Sequence, residues 1–183
     1  ILHRLVGSEM CIRDRSAGDP SGYSAYMQKH LGQPLGLGPQ QLRLPHPDAV
    51  DPEAAAQAYQ QSLAATGGVG LQLLGLGSNG HVGFNEPPCG PLMACRVVQL
   101  SAATRQQNAG LFGGDPQRVP EAAITLGLKE ILAAEEIHLV VTGSSKAAIL
   151  KKLLDDEPSE QLPASWLRQH PRVWLWVDRA AMG

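Results

Sequence analysis

The stretch at residues 73–87, LLGLGSNGHVGFNEP, decides the fold of this chain. It overlaps the apolar run of residues 69–76, which is typical of a buried strand. The strand ends in a turn with four glycines within nine residues, and glycine permits positive φ angles and close approach of backbone to a ligand. Open α/β sheets place their ligands at such strand ends. His81 and Glu86 follow there, and an imidazole and a carboxylate can share proton transfer. The stretch therefore predicts an enzyme site on an α/β fold.

Strands and helices alternate along the rest of the chain. Asp51, Pro52 and Glu53 are typical of a helix start, and the glycine pair at 67–68 is expected to end that helix. Alternation of strands with helices favours a mainly parallel sheet with helices on both faces. Besides the strand at 69–76, the pattern predicts strands at 96–100, 123–126, 137–142 and 173–177, helices at 23–32, 101–112, 128–135, 143–154 and 163–170, and a loop at 32–47.

Length, charge and cysteine content exclude several classes of protein. The 183 residues suffice for one domain, and a formal net charge of −2 gives no electrostatic case for nucleic acid or an acidic membrane surface. No apolar run approaches the roughly 20 residues that a membrane helix needs. Cys11, Cys89 and Cys95 cannot all pair, and their spacing matches no zinc motif. We therefore expect a reduced, cytoplasmic protein.

The first residues differ in character from the rest. The chain begins with Ile1, and the string VGSEMCIRDR resembles adapter-derived read-through and lacks the layout of a signal peptide. We therefore expect residues 1–16 to be foreign to the fold or a disordered tail. Residues 17–183 are expected to form one partial α/β domain.

A second candidate site lies at residues 140–146, VVTGSSK. A buried strand turns there directly into a helix whose first residues are a glycine, two hydroxyl residues and Lys146. The N–H groups and the dipole at a helix start attract anions, and a lysine adds a charge suited to phosphate. The Walker spacing is absent, and a Gly-Ser-Ser start is also a common helix cap. Alone, the pattern leaves a phosphate site and a plain cap open.

Together, the two segments resemble the glucosamine-6-phosphate deaminase (isomerase) family. GLGSNGHVGFNEP is similar to that family's signature loop, and its FNEP ending separates the deaminases from 6-phosphogluconolactonases. The resemblance implies a Rossmann-like three-layer fold with a mainly parallel sheet, whose first strands have no counterpart here. The similarity covers roughly residues 17–180 and continues at residues 21–27 (SGYSAYM), 104–108 (TRQQN), 118–126 (RVPEAAITL) and 143–147 (GSSKA).

The resemblance implies the conversion of glucosamine 6-phosphate and water to fructose 6-phosphate and ammonia, without a metal or an organic cofactor. The implied partner is a small sugar phosphate, and neither nucleic acid nor a membrane is expected. His81 is implied in ring opening, which suits a group that exchanges protons near neutral pH, and Glu86 is implied to orient and tune it. Asn79 stands where many members have an aspartate. It can still orient the imidazole, but it supplies no charge, which leaves His81 less basic.

Three further residues are implied in substrate binding. Lys146 matches the family's phosphate-binding lysine, and Gly77 and Gly80 are expected to form the substrate loop. Gly110 stands where the family commonly has an arginine on the phosphate, so phosphate binding is expected to be weaker or retuned. The segment whose aspartate moves the C2 proton has no counterpart. We therefore expect this chain alone to be inactive or nearly so.

Two alternatives stay open. Gly110 also fits a deaminase-isomerase for another amino-sugar phosphate, such as galactosamine 6-phosphate. Related domains also serve as non-catalytic sugar-phosphate sensors in transcriptional regulators, and that alternative requires a helix-turn-helix upstream.

Overall fold

The computed structural model describes residues 5–6, 11–12, 23–38, 41–45 and 50–183. The strands are β1 (Leu5–Val6), β2 (Cys11–Ile12), β3 (Leu71–Gly75), β4 (Arg96–Gln99), β5 (Ala122–Thr125), β6 (Glu136–Val141) and β7 (Val173–Val177). The α-helices are α1 (Tyr23–Met27), α2 (Gln33–Leu35), α3 (Pro52–Ala65), α4 (Ala102–Asn108), α5 (Leu128–Leu132), α6 (Ala147–Asp155) and α7 (Arg179–Met182). A π-helical turn lies at Gln28–Gly32, and 3-10 turns lie at Ala109–Phe112, Pro116–Arg118, Ser144–Lys146 and Pro163–Gln169.

The described strands form two sheets, one in each of two compact units. The first unit includes β1, Leu63–Cys95 and Leu126–Gly183, and its parallel sheet has the order β1-β3-β6-β7. The second unit includes β2, the described residues from α1 to Ser62, and Arg96–Thr125, and its antiparallel sheet has the order β2-β5-β4. The α/β fold with a parallel sheet is therefore confirmed. The antiparallel sheet was not predicted, because a short apolar strand carries no mark of its pairing direction.

One face of the parallel sheet contributes to the core of the first unit. Successive strand residues point to opposite faces, so Gln72 and Leu74 of β3 share a face with their partners in β6, Ile137 and Leu139. All four side chains are buried. Each buried leucine or isoleucine contributes about 1.5–3 kcal/mol relative to an exposed one. Further core residues of this unit are Leu128, Ile131, Val141, Leu150, Leu153 and Leu167.

The opposite face of the parallel sheet is exposed in the part of the chain that the structure describes. Leu73 is 51% exposed, and Trp174 and Trp176 of β7 are 55% and 54% exposed. Leu73, His138 and Trp174 stand side by side in register, and Trp176 Nε1 donates a hydrogen bond to His138 Nδ1 at 3.0 Å. Parallel sheets are normally covered on both faces. This face therefore presents an apolar patch to solvent.

We expect the exposed sheet face to bind the apolar dye anilinonaphthalene sulfonate, because contiguous apolar patches recruit such probes. Trp174→Thr is expected to lower the dye's fluorescence enhancement by roughly half. Leu92→Ser is the matched control, since Leu92 is 84% exposed but lies in a loop outside the sheet. Equal fluorescence from both variants and the unmodified chain would contradict the assignment of the patch.

The helix boundaries follow the capping signals in the sequence. Asp51 Oδ1 accepts hydrogen bonds from the N–H groups of Glu53 and Ala54 at 3.0 and 3.1 Å, which confirms the predicted start of α3. Ser101 caps α4 in the same way through Thr104 N. The helix predicted to end near Gly32 continues instead to Leu35, because Gly36 provides the left-handed cap at φ 63°.

The segment expected to be foreign lies mostly outside the described residues. Of residues 1–16, the structure describes Leu5–Val6, which pairs in parallel with β3, and Cys11–Ile12, which pairs antiparallel with β5. The expectation of a foreign or disordered tail stays a prediction. Within the part of the chain that is described, no helix combines the length and apolar character that spanning a membrane requires.

Candidate active site

Three segments of the first unit meet at the carboxyl ends of neighbouring parallel strands. The loop at residues 76–89 follows β3, the turn Ser144–Lys146 follows β6, and Asp178 follows β7 directly. The strands are adjacent in the order β3-β6-β7, so their carboxyl ends lie along one edge of the sheet. This edge holds the residues that the sequence predicted as a site.

Two glycines shape the turn that carries His81. Gly77 N donates to His81 O at 2.9 Å, and Gly80 N donates to Gly77 O at 3.0 Å, which closes a tight turn. A Cβ atom on Gly77 would overlap the His81 ring, and one on Gly80, whose φ is 81°, would overlap Leu162. Close packing thus explains both glycines. Their predicted role in substrate binding stays a prediction.

Asn79 contacts both the ring and the backbone of His81 through one side-chain oxygen. Asn79 Oδ1 lies 2.6 Å from His81 Nδ1 and also accepts a hydrogen bond from the His81 backbone N–H at 3.3 Å. An amide oxygen only accepts, so Nδ1 carries the proton of the neutral ring and Nε2 carries the lone pair. Asn79 therefore sets the tautomer that leaves Nε2 as the basic nitrogen.

The charge of His81 depends on burial and on two neighbours. Burial lowers the pKa of His81 below its ordinary value, the negative charge of Glu86 opposes this by raising it, and the positive charge of Lys146 lowers it further. The imidazole is therefore neutral at neutral pH. These interactions also place Glu86 and Lys146 within electrostatic reach of the ring, so the structure brings His81, Asn79, Glu86 and Lys146 together.

The FNEP part of the signature loop is anchored by a residue that the sequence analysis did not single out. Asn85 is fully buried, and its Nδ2 donates to Val82 O at 3.0 Å and to Leu126 O at 2.8 Å. The first bond closes the turn next to His81, and the second ties the loop to the residue after β5. Asn85 therefore positions its neighbour Glu86. The sequence signal available for it was an asparagine directly after Phe84 in the signature loop.

The turn that carries Lys146 differs from the predicted one. The helix expected to open at Gly143 starts instead at Ala147, after the separate turn Ser144–Lys146. The Gly143 N–H donates to both carboxylate oxygens of Asp178, at 3.1 and 3.0 Å. This N–H group, expected to attract an anion, is therefore already bound to a carboxylate. Sequence reasoning missed Asp178, whose signal was its position just before the short helix α7.

The chain is similar to known proteins over most of its length. Residues 5–176 match the model of the family described as glucosamine-6-phosphate isomerases/6-phosphogluconolactonase. Glucosamine-6-phosphate deaminase 2 of Bacillus subtilis (strain 168) is 38% identical over 167 residues, which are 91% of this chain and 67% of that protein. The chain belongs to the glucosamine-6-phosphate deaminase family. It spans about two thirds of the length of that relative.

Two solved structures match this chain to different degrees. A monomeric glucosamine-6-phosphate deaminase matches with a TM-score of 0.87 at 38% identity, over 92% of this chain and 69% of that one. The 6-phosphogluconolactonase of Leishmania guyanensis matches with a TM-score of 0.66 at 20% identity, over 94% of this chain and 70% of that one. The lactonase therefore shares the fold alone. Within the described ranges, no three His, Cys, Asp or Glu side chains gather into a metal site.

Removing the charge of Lys146 and removing the charge of Glu86 are expected to shift the His81 pKa in opposite directions. Lys146→Met removes a positive charge and is expected to raise the His81 pKa, whereas Glu86→Gln removes a negative charge and is expected to lower it. The His81 Cε1–H resonance, followed against pH by NMR, measures both. Shifts of the same sign in both variants would show that the three residues do not interact as described.

Proposed function

We propose that this chain is the part of a glucosamine-6-phosphate deaminase that binds the sugar phosphate and opens its ring. The observation that carries the proposal is the neutral His81 imidazole, held by Asn79 with Nε2 as its basic nitrogen and flanked by Glu86 and Lys146. The name of the Bacillus subtilis relative supports the substrate. The match to the signature loop supports the reaction.

The ring-opening step needs one group that both takes and gives a proton. The C1–O5 bond breaks and its electron pair leaves with O5, while the anomeric hydroxyl loses a proton as the C1 carbonyl forms. In this proposal His81 Nε2 takes the hydroxyl proton and returns a proton to O5, so the imidazole ends as it began. A histidine whose pKa is lowered suits the first half, because its basic form predominates at neutral pH. Glu86 stabilises the transient imidazolium.

Lys146 supplies the charge that this proposal needs at the phosphate. A lysine is a compact point charge on a flexible stem, which suits a dianionic ligand without a bidentate partner. Its position in the turn after β6 places it in the same unit as His81. The phosphate and the reacting end of the sugar can therefore be held by neighbouring strand ends.

The proposal is tested by NMR exchange spectroscopy on glucosamine 6-phosphate. Interconversion of its α and β anomers requires ring opening, so the chain is expected to accelerate it. His81→Asn is expected to slow the catalysed exchange by about 10²- to 10⁴-fold, whereas His30→Asn serves as the matched control and should retain the rate. Failure of the chain both to bind the sugar phosphate and to accelerate exchange would overturn the proposed function.

Ammonia measured in the same samples tests the expectation that the chain alone is inactive. Ring opening draws only on residues described above, while deamination also needs a proton moved between C2 and C1. We therefore expect anomer exchange without substantial ammonia release. Ammonia released at a catalytic rate would support the proposed function and contradict that expectation.

A second substrate is favoured by Gly110. Gly110 is exposed within the 3-10 turn Ala109–Phe112, and, apart from its chain neighbours, no described residue has a heavy atom within 4 Å of the position its Cβ would take. The arginine that the resemblance implies for phosphate binding is absent there. Galactosamine 6-phosphate in the same exchange assay separates the candidates, since faster exchange with the galacto sugar than with the gluco sugar would reverse their order. Tight binding of either sugar with no exchange would favour a sensor.

A further inference from the structure

Asp178 joins two strand ends that are far apart in the sequence. Its carboxylate accepts the Gly143 N–H through both oxygens, at 3.1 and 3.0 Å, across 35 positions of chain. Oδ1 also accepts the Ala181 N–H at 2.8 Å and so caps α7. Hydrogen bonds to an ionised carboxylate are about twice as strong as neutral ones. The end of β7 therefore holds the segment that follows β6.

Gly143 is hydrogen-bonded to both Asp178 and Lys146. It has φ 89° and ψ 147°, a conformation that is open to glycine and strained for other residues. Its N–H is bound by Asp178, and its carbonyl oxygen accepts the Lys146 N–H at 3.0 Å. The same peptide segment thus connects the Asp178 carboxylate to the backbone of Lys146.

We propose that Asp178 is a positioning residue for the phosphate-binding turn, which sets where the Lys146 ammonium lies relative to His81. The proposal rests on the role proposed above for Lys146. Asp178 touches neither the reacting atoms nor, in this proposal, the phosphate. Its effect passes through Gly143, so its loss moves the ammonium without removing it.

The competing explanation is that Asp178 only caps α7. In that case Asp178 would stabilise the fold without affecting the ligand or His81. Asp51→Ala is a matched control for it, since Asp51 also accepts two backbone N–H groups at a helix start and belongs to the second unit, whereas the site residues belong to the first. Its loss is expected to lower stability and leave ligand affinity unchanged.

The test combines affinity for glucosamine 6-phosphate with the titration of His81, both followed by NMR. Asp178→Ala is expected to weaken binding roughly tenfold and to move the His81 titration in the same direction as Lys146→Met. Asp178→Asn keeps an accepting side-chain oxygen and is expected to retain most of the affinity. In a Lys146→Met background, Asp178→Ala is expected to change binding little, because the ammonium it positions is gone.

The outcomes distinguish failure of this inference from failure of the proposed function. If the unmodified chain binds no sugar phosphate, the proposed function fails, but the His81 titration still reports whether Asp178 positions Lys146. Unchanged binding and an unchanged titration in Asp178→Ala would overturn the inference. An equal loss of affinity with and without Lys146 would also overturn it, because Asp178 would then act by another route.

Discussion

Gly77→Ala is expected to slow ring opening of glucosamine 6-phosphate by about 10²- to 10⁴-fold, the loss typical of removing a positioned acid–base group. The added Cβ would overlap Cε1, Nδ1 and Cγ of the His81 ring. Because Cγ itself is in conflict, the ring cannot escape by a small rotation and must leave its place. That movement breaks the hydrogen bond between His81 Nδ1 and Asn79 Oδ1. The anomer-exchange rate measures the loss.

The matched control for this substitution is Gly75→Ala. Gly75 ends β3 two residues earlier, and, its chain neighbours aside, no atom of the described residues lies within 4 Å of the position its Cβ would take. It is expected to keep the exchange rate of the unmodified chain within about twofold, whereas overpacking in Gly77→Ala also costs about 1–3 kcal/mol of stability. If Gly77→Ala exchanged anomers as fast as Gly75→Ala, ring opening would not depend on the described position of His81.

Features set by neighbouring residues were predictable from the sequence. The start of α3 follows from Asp51 and Pro52, whose cap and fixed φ act within one turn. Strand β6 follows from the apolar run at residues 137–141, which His138 interrupts, although only alternate residues of the strand are buried. The proximity of His81 and Asn79 is likewise local, since the glycine turn brings together residues two positions apart. In each case the deciding interaction joins residues that lie within the same short segment of sequence.

Features set by distant residues were not predictable in the same way. The bond between Asp178 and Gly143 joins residues 35 positions apart, and neither residue marks the other in the sequence. The sequence predicted that the Gly143 N–H group is available to an anion. That prediction did not include Asp178, which follows β7 and accepts this N–H group. The exposure of Trp174 and Trp176 has a similar origin. Their apolar character predicted a strand, but burial depends on what lies against the sheet.

Asn85→Ala is expected to lower the free energy of unfolding by about 2–3 kcal/mol, because it removes two buried side-chain hydrogen bonds that contribute about 0.5–1.5 kcal/mol each and leaves a small void. Asn85 is fully buried, and its amide donates to Val82 O and Leu126 O. The alanine side chain donates to neither carbonyl, although the backbone N–H of residue 85 still donates to Val82 O at 3.1 Å. Urea unfolding followed by circular dichroism measures the change.

Asn108→Ala is the matched control for Asn85→Ala. Asn108 is half-buried, and its amide makes one bond, to Thr104 O within α4 at 2.8 Å, so its loss is expected to cost about 1 kcal/mol.

The two variants should also differ in their effect on the His81 pKa. Burial is the main cause of the lowered His81 pKa, so a loop loosened by Asn85→Ala becomes more hydrated and the pKa rises toward its ordinary value. Asn108→Ala leaves that titration unchanged. Equal unfolding midpoints with unchanged His81 titrations would show that Asn85 does not anchor the loop.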